Sequence, residues 1–557
     1  VKNYIVLHSI RLYHATMKWL IFSYIALGIL LTGCNLNTTE PTPTPPPANG
    51  GNIRMAQVQI TPAPTQERVL QSIPTKTITP TPTITPTETA VAYQCTEDDE
   101  TLSARRVSAI VNVDYGTKAS HIDQQITFVN REDVPLEAIV LDVQANQWQN
   151  GFTLEGLLVN DAPTPHTIDI NRLEIPLATP LESGCQVVMK LSFRLQPSAI
   201  RDGLSSYRGF FGYSPRQLNM SHFLPAVAAR INGEWVIHEP IGIGEQIVYD
   251  MTDWDVVVSV ENAADSLELA APGTVIEIDA LRWQVTLPES RDFSISMSEN
   301  FVVQQVQTPS GVTVAVYTFP DAVTTINGTR LDAGAHTMDE TLKAITLFEQ
   351  LFGSYQYDRF VVVMGDFPDG MEFTGLVFVG TAWFYNFDGT HYNYLTLITV
   401  HEVAHQWWYA QVGSDSAYNP WLDEALATYS EYLFIERYYP NDKNWWWTFR
   451  VADFFPQGDV DSTVYEFNTA REYINAVYLR GVQMLQNLRD DIGDTAFFEL
   501  LWEYREAGDG RIANPSIFWT QLTAEQVRQS QQTRNDFLRD PNVASFFVDM
   551  EEDDSGE

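Results

Sequence analysis

Basic residues are scarce in this chain. Lys plus Arg number 33 against 71 Asp plus Glu, a formal charge of −38 over 557 residues. A surface this acidic repels nucleic acid and anionic lipid, so neither is expected as a charge-driven partner. It would favour cationic groups, peptide amines among them, although solubility alone is the plainer account. Cysteine is scarcer still. Cys34, Cys95 and Cys185 are the full set, and they form no metal-spaced cluster. No internal repeat is visible, which excludes a solenoid or propeller. The apolar run from Trp19 to Leu31 is too short for a comfortable membrane-spanning helix.

That run follows Met17-Lys18 and fits the apolar core of a secretory signal, with Met17 a candidate for the true start. It ends in Leu31-Thr32-Gly33-Cys34, which resembles a bacterial lipobox. Such a resemblance implies cleavage before Cys34, lipidation of its thiol and durable anchoring through several acyl chains. Plain secretion or an uncleaved signal anchor are the alternatives. Residues 35–94 are rich in Thr and Pro, a composition that builds extended segments and no core, and they read as a disordered stalk. With Cys34 lipidated, Cys95 and Cys185 remain as an even pair. Outside the cytoplasm they would form a disulfide; two separate buried thiols are the other reading.

What the chain does have is a metal-binding pattern. His401-Glu402-Val403-Ala404-His405 is an H-E-x-x-H motif. On a helix, positions i and i+4 share a face, so His401 and His405 aim two imidazoles at one ion. Glu402 points to the side, as suits a base acting on metal-bound water. The apolar run Leu395–Val400 leads into the motif and predicts a buried helix. After Gly413 the chain loosens, Asn419-Pro420 reads as a turn, and a second helix is expected from Trp421. Catalytic zinc commonly takes two His and a carboxylate, leaving a fourth position for water. Glu424, on the second helix, is the expected carboxylate. Glu431, seven residues on, shares its face and is a candidate to orient a ligand histidine.

His401-Glu402-x-x-His405, then Glu424 within Trp421-Leu-Asp-Glu-Ala-Leu-Ala, resembles the gluzincin aminopeptidases, relatives of aminopeptidase N and leukotriene hydrolase. That family usually has Asn before the third ligand and Gly after it. Asp423 and Ala425 stand here, changes expected to leave the ligand untouched. The resemblance implies a cleft strand at Asp369-Gly370-Met371-Glu372-Phe373, where the family has Gly-Ala-Met-Glu-Asn. Glu372 would bind the α-amine of a peptide, with Gly370 and Met371 lining the substrate. It also implies that Tyr478, in Tyr478-Leu479-Arg480-Gly481, stabilises the developing oxyanion. The segments Phe223–Trp235 and Arg291–Ser296 resemble parts of the family's N-terminal sheets.

The expected fold is multidomain: a β-rich N-terminal domain, then a thermolysin-like α+β zinc metallopeptidase domain ending in helices. The expected boundaries are signal peptide 1–34, stalk 35–94, β-sheet domain 95–320, and catalytic domain 321–557 with trailing helices and an acidic tail. The resemblance is to a bacterial lipoprotein form lacking the family's large C-terminal domain. Its implied activity is that of an extracytoplasmic, lipid-anchored aminopeptidase holding one Zn2+ and acting on peptides. A zinc endopeptidase or other hydrolase, and a non-catalytic surface binding lipoprotein, are the rival readings. Trp445-Trp446-Trp447 is expected to pack rather than to bind a ligand.

Overall fold

The computed structural model of the protein describes residues 93–95, 103–200 and 207–544. The signal-like run, Cys34, nearly all of the Thr/Pro-rich stretch and the acidic run Glu551–Asp554 lie outside the described residues.

The first half is built from period-2 strands. In Arg105–Asp114, the buried Val107, Ala109, Val111 and Val113 alternate with exposed positions. That alternation presents one apolar face. The strand sits inside a nine-stranded sheet, between Thr252–Glu261 and Ala119–Val129. A four-stranded sheet centred on Leu136–Asp142 and Arg172–Leu181 contributes Ile139, Leu141, Leu173 and Ile175 to the same continuous core as Ile126, Val187 and Met189. A third sheet, of five strands, includes the wholly buried Ser294–Ser298. Cys95 and Cys185 face each other in antiparallel register and form a disulfide. Of the two readings open from the sequence, the paired one holds.

The second half has its own five-stranded sheet, in the order Val302–Gln307, Thr313–Thr318, Arg359–Gly365, Leu376–Gly380, Met371–Phe373. Its first two strands were expected in the β-rich region ending at 320. They join this sheet because Thr313–Thr318 pairs in parallel with Arg359–Gly365. Parallel neighbours need a crossover, here carrying the helix Ala333–Phe352, whose N-terminus Asp332 caps by accepting from the Ala335 N–H. Met371–Phe373 is an edge strand, antiparallel to Leu376–Gly380. Beyond the sheet come the helices Tyr394–Ala404, Trp421–Tyr438 and Arg480–Ile492. Trp446 is fully buried, and Trp445 and Trp447 pack against the same core, as packing residues should.

The disulfide closes a separation of 90 residues. Cys185→Ser should lower the unfolding free energy by about 2–5 kcal/mol, the usual effect of losing such a link. Denaturant titration under non-reducing conditions reads this; an unchanged midpoint would mean that the bridge carries no stability.

Candidate metal centre

The helix Tyr394–Ala404 is buried at nearly every position, mostly by apolar residues, with His401 and Glu402 among its buried polar side chains. Asn393 caps it by accepting from the Thr396 N–H. The α-helical hydrogen bonding ends at His405, wider π-type bonds follow over Gln406–Gln411, and the backbone leaves helical angles at Trp408 and Tyr409. The chain therefore turns away just after the second histidine. Trp421–Tyr438 then returns across it and brings Glu424 in its first turn.

Three ligand atoms converge. His401 Nε2 lies 3.0 Å from His405 Nε2 and 3.2 Å from a Glu424 carboxylate oxygen, which is 3.5 Å from His405 Nε2. A tetrahedral zinc with bonds of about 2.0–2.1 Å sets its ligands roughly 3.3 Å apart. The triangle matches that spacing. Glu372, His405 and Asp423 also have ligand atoms within 4.8 Å of one another. Asp423 Oδ1, however, is engaged by His405 Nδ1 at 2.6 Å, which leaves the first set as the one with free convergent donors.

Electrostatics point the same way. Burial works against protonation of His405, yet Glu372, Asp423 and Glu424 overcome it and hold its imidazole well above the usual range. His401 is likewise raised, through Glu424 and Glu431, against burial. The carboxylates gathered around the two rings supply negative charge that a divalent cation would balance. The residues present fit zinc.

Glu402 lies alongside. Burial pushes its carboxyl up to about 8, against the pull of His401 and His405. Its Oε2 is buried without a hydrogen-bond partner. Tyr478 donates its phenol O–H to Glu424 Oε1, and its ring lies parallel to that of His401. This closeness depends on Gly481. A Cβ there would fall 2.4 Å from Ala425 Cβ, so the two helices could not meet as they do.

Glu372 points into the same space, 5% exposed, with Oε1 unpartnered. Its neighbours Met371 and Phe373 face the other way, into a small core with Val361 and Phe378. Met371, expected to line the substrate, therefore offers it no side chain. Strand alternation explains this, and it also places the Phe373 change on the face away from Glu372. Gly370 presses its backbone against the base: a Cβ there would fall 2.1 Å from Glu402 Oε1. Glu431, a candidate from the sequence, takes the N–H side of His401 at Nδ1, 3.0 Å away, and is itself gripped by Arg450 through contacts of 2.9 Å. Asp423, a change expected to leave the ligand Glu424 untouched, makes its contact elsewhere, with His405 Nδ1.

Residues 336–545 match the peptidase family M1 domain. Two curated relatives are plant proteins of Oryza sativa subsp. japonica. Aminopeptidase M1-B is 30% identical over 119 residues, 20% of this chain and 14% of that one. Aminopeptidase M1-A is 24% identical over 237 residues, 38% of this chain and 27% of that one. The chain thus spans well under a third of either relative. The crystal structure of an M1 zinc metallopeptidase from Deinococcus radiodurans superposes with a TM-score of 0.56 at 20% identity, covering 77% of this chain and 92% of that one. A mutant of that metallopeptidase bound to a Tyr-Ser-Ala substrate gives 0.55 at 21%, with the same coverage. These structures share the fold of this chain over the covered residues.

The matched region does not build this carboxylate cluster alone. Glu245, unmarked by the sequence reading, comes from the β-rich half. Burial raises its carboxyl well above the usual range, and the charges of Asp423, Glu424 and Glu402 add to this. Its own charge in turn raises Glu372. Gly244 lets it in: φ is +61°, and a Cβ would fall 2.7 Å from Val464 and 2.9 Å from the Tyr473 ring. The only sequence signal was a glycine pair before an acid, Gly242-Ile243-Gly244-Glu245.

Arg291 and Asp292 hold the elements of this site together. Arg291, 2% exposed, donates to the carbonyls of Tyr249, Tyr409, Gln411 and Arg511 at 2.6–3.0 Å. Asp292 accepts from the Tyr409 hydroxyl at 2.6 Å and from Thr374 N–H and O–H at 3.2 Å. One dipeptide thereby fixes the turn after His405 and the strand carrying Glu372. Gln406 adds a second tie to that strand, donating to Phe373 O at 3.1 Å and accepting from Gly375 N–H at 2.9 Å.

Arg291→Met should destabilise the fold by about 3 kcal/mol or more, because it strands buried carbonyls. It should also weaken zinc retention, since the turn after His405 loses its anchor. Calorimetry and metal content after dialysis check both effects. A variant with normal stability and normal zinc would show that these bonds carry no load.

Proposed function

We propose that this protein is a membrane-anchored, extracytoplasmic zinc aminopeptidase that removes N-terminal residues from peptides. The observation that carries the reading is the His401–His405–Glu424 triangle flanked by two buried, unpartnered carboxylate oxygens, one on Glu402 and one on Glu372. His401, His405 and Glu424 would hold the ion. Bound zinc supplies Lewis acidity, lowering the pKa of water and polarising the scissile carbonyl. Glu402 accepts the proton of the attacking water and returns it to the leaving amine; a carboxyl buried and raised this far is suited to both acts. Tyr478 donates its O–H to the carbonyl oxygen as negative charge grows there.

Glu372 and Glu245 bring excess negative charge to this site, each carboxyl raised by burial and by the acidic groups around it. A substrate ammonium neutralises it, which places the first peptide bond over Glu402 and the ion. The Deinococcus radiodurans relative, solved with a tripeptide substrate, supports a peptide as the ligand. Extracytoplasmic location and lipid anchoring at Cys34 are supported by the lipobox-like sequence and by the Cys95–Cys185 disulfide, which persists in oxidising compartments.

Glu402→Gln should lower kcat by a factor of about 10²–10⁴ while zinc content stays at one per chain. Steady-state kinetics on aminoacyl reporter substrates, with and without a chelator, would read this; full activity in the variant would remove Glu402 from the chemistry. Acetylating the peptide N-terminus should abolish cleavage, and Glu372→Gln should chiefly raise KM for free peptides. Equal rates on free and acetylated peptides would instead assign the site to an endopeptidase.

A further inference from the structure

We propose that His238 is a positioning residue: it clips an irregular strap of the β-rich half onto the half that carries the zinc motif, and so sets where Glu245 stands for the substrate amine. This deepens the aminopeptidase reading above and rests on it. Residues 237–250 form no helix or strand. Ladder hydrogen bonds therefore do not hold this strap, and its side chains must. Gln246 closes it on itself. Its side chain accepts from the Ile241 N–H at 3.0 Å and donates to the Ile243 carbonyl at 2.8 Å. The closed strap has then to be fixed against the rest of the site.

Three contacts do this. His238 Nε2 donates to Asp415 Oδ1 at 2.8 Å, and its ring stands edge-on to Tyr418, with centroids 5.0 Å apart. Tyr465 donates its phenol O–H to the Glu239 carbonyl at 2.9 Å. Gly244 packs directly on Val464 and the Tyr473 ring. The receiving residues form one platform. The Val464 N–H donates to the Ala417 carbonyl at 2.9 Å, and the Tyr418 and Tyr465 rings lie 5.9 Å apart. The contact at Gly244 leads on to the reaction site: the Tyr473 ring meets that of Tyr478 at 5.4 Å, and Tyr478 bonds Glu424. Glu245 follows Gly244, so it is placed only as accurately as the strap is clipped. Of the two polar clips, His238–Asp415 is the more sheltered. Its side chains are 10% and 12% exposed, against 37% for Tyr465. Water competes less for it, which makes it the stronger of the two. The reaction needs the substrate ammonium in one place, because that fixes which bond lies over Glu402. A loosened strap therefore costs binding of free-amine substrates before it costs chemistry.

The test is a double-mutant cycle on the zinc-loaded full chain, read with aminoacyl reporter substrates. His238→Ala should raise KM roughly tenfold, the effect of misplacing one contact to a charged group. Its kcat should stay within about twofold of wild type, as for a loss of binding alone. Glu245→Gln should raise KM as well. The double variant should be no worse than Glu245→Gln, because a residue that acts through another has nothing left to act on. Hydrogen exchange in His238→Ala should quicken over residues 239–247 and stay unchanged along Tyr394–Ala404. Additive effects in the cycle, an unchanged KM in His238→Ala, or faster exchange reaching the zinc-motif helix would each overturn the proposal. If His238→Ala does not fold, Tyr465→Phe takes its place in the cycle, with a smaller rise in KM expected. An unchanged or additive KM there overturns the proposal too. An unchanged KM in Glu245→Gln would instead defeat the part given to Glu245 in the amine reading, and that of His238 with it.

Discussion

Inside a protein, like charges cannot be crowded together without a counter-ion, and this chain crowds them deliberately. Glu372, Glu402, Asp423 and Glu424 are all under a tenth exposed and gather around two imidazoles whose Nε2 atoms are 3.0 Å apart. Burying a charge without compensation is costly. In the proposed function, a divalent cation between the rings and an ammonium beside Glu372 would supply the missing positive charge, at two distinct places. Metal binding, substrate binding and the role proposed for the raised carboxyl of Glu402 would all follow from that one imbalance.

Holding such a site requires elements from distant parts of the chain to stay in register. The zinc-motif helix supplies two ligands and the following helix the third. Arg480–Ile492 meets that second helix closely enough, at Gly481 and Ala425, to keep Tyr478 on Glu424. The β-rich half is structural and functional at once. Through Arg291 and Asp292 it fastens the turn after His405 to the strand carrying Glu372, and it brings the charge of Glu245 to bear on Glu372. The β-rich half therefore helps to complete the site.

What the sequence shows and what it hides divide along chain distance. His401, Glu402 and His405 are legible because helix periodicity fixes their faces, and Glu424 because a turn and a new helix follow at short range. The strands are legible from alternation, as in Val107 to Val113. Glu245 is not, because nothing local says that a loop from the other half reaches the metal. Arg291 and Asp292 are invisible for the same reason, since their partners lie 42 to 220 residues away. Strand alternation could have shown that Met371 and Phe373 face away from Glu372. Asp423 was visible in part: its place beside the ligand Glu424 was clear, while its bond to His405, 18 residues back, needed the fold.

The most direct test of the central claim is anomalous diffraction at the zinc edge from crystals of the zinc-loaded protein. It should show one full-occupancy peak about 2.0–2.2 Å from His401 Nε2, His405 Nε2 and a Glu424 oxygen, with none elsewhere. A peak held by other side chains, or none within reach of Glu424, would contradict it.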